Sequence, residues 1–166
     1  MGTGERLEER MATLVRRSVA RISYMAQDLA DLSVAARVAS QYMADPREGL
    51  VGYLKRVIRY PKSHPRYIQH FPLHCSDETL VVWTESDWAG DQENRRYCSG
   101  RCIMLSSSPL GHWSKTQSNV ALSSGEAELN VAVKGVSEAF GFWNFVKELF
   151  GNELQINWTV DSSAVV

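Results

Sequence analysis

Four acidic side chains stand at the ends of predicted elements, and their type and order suit metal-assisted chemistry. Glu85 and Asp87 follow a β-rich run, and Asp161 ends a later β-rich run. Glu128 lies near the start of a long helical pattern between them. Carboxylates that converge from separate elements bind Mg²⁺, and two such ions can stabilise the attacking and leaving oxygens of phosphoryl transfer. We therefore treat these four residues as candidate metal ligands, although carboxylates in such positions also occur by chance.

The element that positions Glu128 is a helix predicted between Ser123 and Gly151. Ser123 and Glu126 have the spacing of a capping box, and Gly151 is a typical helix stop. Glu128 stands beside an apolar stripe, so we expect its carboxylate to be partly dry. The stripe recurs at three- and four-residue steps and predicts the face that covers a sheet: Leu129, Ala132, Val133, Val136, Phe140, Trp143 and Leu149.

Three predicted strands precede this helix in the sequence, and a fourth follows it. Alternation along the first strand puts Glu85 and Asp87 on the same side. Three strands, a helix and a further strand predict an α/β fold with a mixed sheet and a right-handed crossover helix, which can bring the acids to one edge. The predicted strands are residues 80–84, 101–105, 112–116 and 154–160, with a hairpin turn at 106–111.

The N-terminal part shows helical rather than strand periodicity over residues 13–59. Asp45 is the predicted N-cap of the third of three helices, with Pro46 at its first position and Glu48 three residues after the cap. That helix is expected to end near Pro61. The pattern predicts a helical segment at residues 1–60, a linker at 61–77 and a mixed α/β domain at 78–166.

Composition and charge narrow the class of protein. The chain has 166 residues, 44% of them apolar, and lacks both a bilayer-length apolar run and a signal-peptide core. Residues 1–70 hold 12 Lys and Arg against 7 Asp and Glu, whereas residues 71–166 hold 6 against 12. A basic half beside an acidic half suits a nucleic-acid enzyme, although such asymmetry is common elsewhere. We expect an intracellular protein, cytoplasmic or nuclear, without a membrane-spanning segment.

The cysteines allow two interpretations. There are three, an odd number, and none has the C-x-x-C spacing. Reduced thiols in an intracellular protein are the simpler interpretation. The alternative is a zinc site made by Cys98, Cys102 and His112.

Five segments in a fixed order make the sequence familiar. They resemble the end of the Pol polyprotein of copia-type retrotransposons, which is the tail of the reverse transcriptase followed by a ribonuclease H domain. The likeness extends from about Ser18 onward, and its specificity lies in the combination of the segments. They are SYMAQDLADLSVAARVASQYMADP, YLKRVIRYPKSHP, ESDWAGDQENRRYCSG, HWSKTQSNVALSSGEAEL and TVDSSA.

The resemblance implies a ribonuclease H-like fold, truncated at its C-terminus and preceded by a small helical segment from the reverse-transcriptase thumb or connection. It implies endonucleolytic hydrolysis of RNA in RNA–DNA hybrids with two Mg²⁺ or Mn²⁺ ions. Glu128 falls at the family's helix glutamate and Asp161 at its next aspartate. The implied partners are the RNA–DNA hybrid and the rest of the Pol polyprotein, including the reverse transcriptase, with no membrane.

Two departures from the family support an alternative. Glu85 stands where the family has the leading Asp of Asp-x-Asp-Trp-Ala, and only the trailing acid is kept, as Asp87. The extra methylene moves the carboxylate by more than about 1 Å, which two-metal geometry tolerates poorly. The family's last helix, strand segment and loop with a His and a fourth acid are also expected to be missing. The alternative is therefore a catalytically degenerate module that binds nucleic acid or a partner.

Contacts to the hybrid are expected from residues that can meet a phosphate backbone without reading bases. The candidates are Arg95, Arg96, Lys115 and Gln117, for which surface solubility is the competing interpretation. A third possibility for the chain is a structural helical domain at residues 13–60 that packs on other Pol subunits.

Overall fold

The structure is a computed structural model and divides the chain into two units, residues 1–68 and 69–166. None of the helices in the described part of the chain combines the length and the apolarity that a bilayer crossing requires. The structure describes residues 1–72, 79–87, 97–151 and 153–160.

The first unit contains the three predicted helices: α1 (Glu9–Met25), α2 (Ser33–Ser40) and α3 (Glu48–Ser63). A short 3₁₀ turn, Ala30–Leu32, precedes α2. Each helix turns one apolar stripe inward, as amphipathic helices do when they build a core together. That core contains Val15, Val19, Ile22, Ala26, Leu32, Ala36, Ala39, Leu50 and Leu54.

The predicted start of α3 is wrong by two residues. Arg47, rather than Asp45, occupies the N-cap position, and its side chain makes no capping hydrogen bond. The Asp45 carboxylate instead accepts a hydrogen bond from Arg47 Nε at 2.9 Å and pairs with Arg6 Nε at 3.3 Å. Two guanidinium groups therefore hold the carboxylate that the pattern assigned to the helix N–H groups. The helix also continues two residues beyond Pro61, which its last turn accommodates.

The second unit is a mixed sheet with one long helix, so the predicted α/β class is confirmed. β1 pairs antiparallel with β2 and parallel with β4, while β2 and β3 are antiparallel. The strand order is β3-β2-β1-β4. The elements are β1 (Thr79–Asp87), β2 (Cys98–Leu105), β3 (Ser108–Thr116), α4 (Ser124–Phe150) and β4 (Gln155–Thr159).

The predicted hairpin turn at 106–111 is wrong, because the turn between β2 and β3 is shorter. Only Ser106 and Ser107 separate the strands, and Ser106 has a φ of +50°. Pro109 lies inside β3 and pairs with Met104, next to a register shift. Proline is tolerated there because β3 is an edge strand and the ladder is already irregular.

The predicted boundaries of α4 are confirmed. Ser123 Oγ accepts a hydrogen bond from the Glu126 backbone N–H at 3.1 Å. Glu126 Oε2 accepts in return from the Leu122 N–H at 2.6 Å, one residue earlier than in a standard capping box. Gly151 ends the helix with a φ of +72°, in the left-handed region.

The predicted buried face of α4 is confirmed at Ala132, which is buried, and at Trp143, which packs against the core, but it is wrong at four other positions. Leu129, Val133, Phe140 and Leu149 are each more than half exposed. A Cβ atom at Gly135 would lie 2.5 Å from Thr84 Cγ2. Small residues therefore let the first half of the helix approach the sheet closely, while Phe142, Trp143 and Val146 pack against the core near its end. The buried positions are Ala127, Glu128, Val131, Ala132, Gly135 and Ala139.

Candidate carboxylate site

Glu128 is the buried acid of the sheet unit. It opens the second turn of α4, and 6% of its surface is exposed. Its Oε1 accepts a hydrogen bond from the backbone N–H of Ser86, near the end of β1, at 2.9 Å. The expectation that this carboxylate is partly dry is confirmed. Burial of a carboxylate is costly unless polar groups compensate it, and the peptide N–H of Ser86 is one such group.

The close packing of α4 on β1 fixes where Glu128 can lie. Val82 and Thr84 are buried beneath the helix, and both lie near the position of a Cβ at Gly135. Thr84 Oγ1 also accepts a hydrogen bond from Trp158 Nε1 on β4 at 2.8 Å. Contacts with α4 and with β4 therefore fix the position of β1 beneath Glu128.

Glu85 and Asp87 lie on the opposite face of β1. Burial alternates along the strand, with Leu80, Val82 and Thr84 buried and with Glu85 and Asp87 exposed. The expectation that these two acids share one side is confirmed. They approach the strand end from the face away from α4, while Glu128 approaches from the covered face. Within the described ranges, no three His, Cys, Asp or Glu side chains form a metal-binding group.

Three predicted site residues lie outside the described residues: Asp161, Arg95 and Arg96. The strand that precedes Asp161 in sequence is described as far as Val160. β4 runs parallel to β1, and its last residue, Thr159, lies opposite Trp83. The chain therefore leaves β4 at the end of the sheet where β1 carries Glu85.

Gln117 has an internal position. It follows β3 directly, and 3% of its surface is exposed. Its Nε2 donates hydrogen bonds to Ser99 Oγ at 2.8 Å and to the Ala127 carbonyl oxygen at 2.9 Å, and lies 3.4 Å from Ser86 Oγ. In this conformation the amide has no access to a phosphate backbone. Sequence reasoning missed Ser86 and Ser99, and the only available signal was a polar residue at inward-facing positions of two neighbouring strands.

Lys115 remains an exposed cation near the β3 edge. Its Nζ lies 5.4 Å from the ring centroid of Trp113, and Arg101 Cζ lies 5.2 Å from the same ring. Arg101 forms an ion pair with Glu138, which also accepts a hydrogen bond from Trp113 Nε1 at 3.1 Å. Burial lowers the pKa of Arg101, and Glu138 opposes that shift. Sequence reasoning missed this cluster because its members are far apart in the chain.

The alternative of a zinc site is wrong. Cys98 and Cys102 both lie on β2. Four residue steps along the strand place their Cα atoms about 13 Å apart, which is too far for one ion. Burial raises the pKa of the Cys102 thiol, with Arg101 opposing the shift.

Comparisons with known proteins identify relatives of this chain. It is 38% identical over 109 residues to Secreted RxLR effector protein 161 of Plasmopara viticola, covering 66% of this chain and 76% of that protein. It is 31% and 32% identical over 137 residues to the retrovirus-related Pol polyproteins from transposons RE1 and RE2 of Arabidopsis thaliana. The chain therefore belongs to the family that these proteins share. Its origin is a copia-type Pol sequence.

The Pol-derived chain corresponds to a small part of a polyprotein. The two matches cover 82% of this chain but 9% of each Pol polyprotein, whereas the effector is covered over most of its length. No family model matches the chain, and no solved structure matches it. The relatives establish its origin.

The chemistry available at this end of the Pol-derived sheet comes from oxygen ligands. Glu128 supplies a buried carboxylate, and Glu85 and Asp87 supply exposed ones. Oxygen ligands of this kind suit Mg²⁺ or Mn²⁺ and not a thiolate-bound metal. Lys115 adds a cation that can meet a phosphate.

Proposed function

We propose that this chain is a ribonuclease H-like part of a retrotransposon Pol polyprotein that hydrolyses the RNA strand of RNA–DNA hybrids. The proposed ligands of two Mg²⁺ or Mn²⁺ ions are Glu128 and Asp161, together with Glu85 or Asp87. The Pol origin of the chain and the strand order β3-β2-β1-β4 with a helical connection to β4 support this proposal. The remainder of the polyprotein, including the reverse transcriptase, is the proposed partner, in the cytoplasm or nucleus.

The single observation that carries the proposal is the buried Glu128 carboxylate at the end of β1. Its Oε1 lies 2.9 Å from the Ser86 peptide nitrogen, which fixes the carboxylate beside the strand end that carries Glu85 and Asp87. An acid that serves only solubility has no reason to be 6% exposed on the packed side of a helix. Buried, hydrogen-bonded carboxylates are typical of functional sites, and an oxygen-only set suits Mg²⁺.

The residues of this chain would bind and orient the reacting phosphate. Glu128 is held in place by packing and by one peptide N–H, so its oxygens keep a fixed direction. Bound ions would supply charge stabilisation to the attacking and leaving oxygens. Lys115, with Arg95 and Arg96, is proposed to contact the hybrid backbone, while Gln117 acts inside the fold.

The test is cleavage of a hybrid whose RNA strand carries a fluorescent label, with Mg²⁺ and then with Mn²⁺. Glu128→Gln keeps the shape of the side chain and removes its charge, so we expect a loss of at least about 100-fold in rate. Glu126→Gln is the matched control, because that exposed residue lies two positions earlier on the same helix. We expect it to stay within about twofold of the wild type.

A second function has specific support. Glu85 and Asp87 are exposed on the face away from Glu128, and Glu85 replaces the aspartate that the resemblance expects. The relative covered over 76% of its length is named as a secreted effector and not as a polyprotein. The alternative is a non-enzymatic module that binds nucleic acid or a protein partner. Salt-dependent hybrid binding by a folded sample that cleaves nothing with either ion would support this alternative and contradict the nuclease.

A further inference from the structure

Gln117 joins three elements of the sheet unit at one buried point. Its backbone N–H donates to the Tyr97 carbonyl oxygen at 2.8 Å, which holds the residue beside the start of β2. Its Nε2 reaches Ser99 Oγ on β2 at 2.8 Å and the Ala127 carbonyl oxygen on α4 at 2.9 Å. The contact at 3.4 Å to Ser86 Oγ adds β1. One side chain thus contacts both strands and the helix around the candidate site.

The orientation of the Gln117 amide follows from its partners. The Ala127 carbonyl oxygen can only accept a hydrogen bond, so the amide nitrogen must face it. The Oε1 atom is consequently turned away from α4's carbonyl. It is buried and has no hydrogen-bond partner within the part of the chain that the structure describes.

The two groups that Gln117 contacts on β1 and α4 are next to the hydrogen bond that holds Glu128. Ser86 supplies the N–H that Glu128 Oε1 accepts. Ala127 directly precedes Glu128 on the helix. Gln117 therefore links the donor side and the acceptor side of that hydrogen bond through a third element.

We propose that Gln117 is a positioning residue for Glu128. It fixes the spacing between the end of β1 and the start of α4, so that the Glu128 carboxylate stays against the Ser86 N–H. The effect on hybrid cleavage rests on the proposed function, whereas the effect on the Ser86–Glu128 contact does not. Displacement of a reacting group by about 1 Å can cost roughly 100-fold in rate, so a small shift at this point has a large consequence.

The first experiment measures hydrogen exchange of the Ser86 amide by NMR. Gln117→Met keeps the length of the side chain and removes both N–H donors of the amide. We therefore expect the hydrogen-exchange protection of the Ser86 amide to fall about tenfold. The amides of Leu80 and Val82, deep in β1, report global unfolding, and we expect their protection to fall much less. Gln155→Met is the matched control, because Gln155 lies exposed on β4, and it should leave Ser86 unchanged.

A milder variant keeps the experiment informative if Gln117→Met does not fold. Ser99→Ala removes only the acceptor at 2.8 Å, and we expect Ser86 protection to fall about fivefold with the fold intact. Unchanged Ser86 protection in either folded variant would overturn the proposal. A loss of protection shared equally by Leu80 and Val82 would also overturn it, because it would show a purely structural brace.

The second experiment measures hybrid cleavage by the same variants. We expect kcat to fall about tenfold in Gln117→Met while KM for the hybrid stays within about twofold, because Gln117 does not contact substrate. A rise in KM with an unchanged kcat would contradict positioning and favour a substrate contact. A wild-type chain that cleaves nothing would contradict the proposed function alone, since hydrogen exchange still decides the role of Gln117.

Discussion

The two faces of the sheet around β1 are built from different kinds of residue. On the face covered by α4, Val82 and Thr84 are buried, and Gly135 brings the helix into close contact with them. On the other face, Trp83 is half exposed and Glu85 is exposed. At this end of the sheet, β1 therefore has one buried face and one solvent-exposed face.

The two faces can contribute to a site in different ways. A carboxylate on the covered face is held by packing and by a peptide N–H, as Glu128 is. Carboxylates on the open face, Glu85 and Asp87, keep their hydration, so binding of an ion there costs less desolvation but provides less orientation. We expect the orientation of the site to depend on the covered face, and we expect the stability of the sheet unit to tolerate substitutions on the open face.

The largest effect is expected where the covered face is tightest. Gly135→Val would place atoms within 2.5 Å of Thr84 Cγ2, so α4 and β1 must move apart. We expect the sheet unit to lose about 3 kcal/mol of stability. All five tryptophans lie in residues 69–166, so tryptophan fluorescence during urea unfolding reports this unit alone.

The control for that prediction is Gly141→Ala. A Cβ at Gly141 meets nothing within 4 Å, and alanine is a better helix former than glycine. We expect a gain of about 0.5–1 kcal/mol. Equal urea midpoints for the wild type and Gly135→Val would show that α4 does not pack as closely as described.

A smaller effect is expected from the hydrogen bond between Trp158 Nε1 and Thr84 Oγ1. Thr84→Val keeps the shape of the side chain and removes the acceptor, which should cost about 1–2 kcal/mol. Trp83→Phe on the open face should change stability by less than about 0.5 kcal/mol. Urea unfolding measures both, and a larger loss for Trp83→Phe would reverse the contrast between the faces.

Hybrid binding gives the third prediction, at the β3 edge of the covered side. Lys115→Ala should weaken binding several-fold and reduce the slope of log K against log salt by about one, as expected for one lost phosphate contact. Lys134→Ala removes the same charge from an exposed position on α4 and is the control. Fluorescence anisotropy measures both slopes. Identical slopes for the two variants would remove Lys115 from the interface.

The smallest effect concerns the thiol of Cys102 on the open face. Burial raises its pKa above the ordinary thiol value, so less thiolate is present at a given pH. We expect alkylation by iodoacetamide at pH 8 to be several-fold slower than in urea, and the difference to shrink as the pH rises. Mass spectrometry of the Cys102 peptide measures the rate. Equal rates in native buffer and in urea would show that this part of the open face is fully exposed.

The order of elements could be predicted because its signals are local. The caps Ser123 and Gly151 mark both ends of α4, and alternation marks β1. The buried face of α4 could not be predicted in this way. Gly135 and Ala139 carry little hydrophobic signal, whereas Val133 and Phe140 carry a strong one and remain exposed. Closeness of approach, a tertiary property, decided which face is buried.

The candidate site shows the same limit. Glu128 could be predicted from its place beside an apolar stripe at the start of a capped helix, and from the resemblance. The internal role of Gln117 could not, because a glutamine in a polar segment has the pattern of a surface residue. Its position depends on Ser86 and Ser99, which belong to strands paired only in the folded sheet. Pro109 was predicted to lie in the turn at 106–111 but lies in β3. Only the fold shows that β3 is an edge strand, where proline is tolerated.

A Mn²⁺ titration followed by amide NMR tests the proposal that Glu128 is a metal ligand. We predict that substoichiometric Mn²⁺ broadens the Ser86 amide well before that of Leu105, at the other end of the sheet. Glu128→Gln should abolish this broadening, and Glu126→Gln should preserve it. Broadening of Ser86 that persists in Glu128→Gln, or broadening confined to exposed acids such as Glu148 and Glu153, would contradict the proposal.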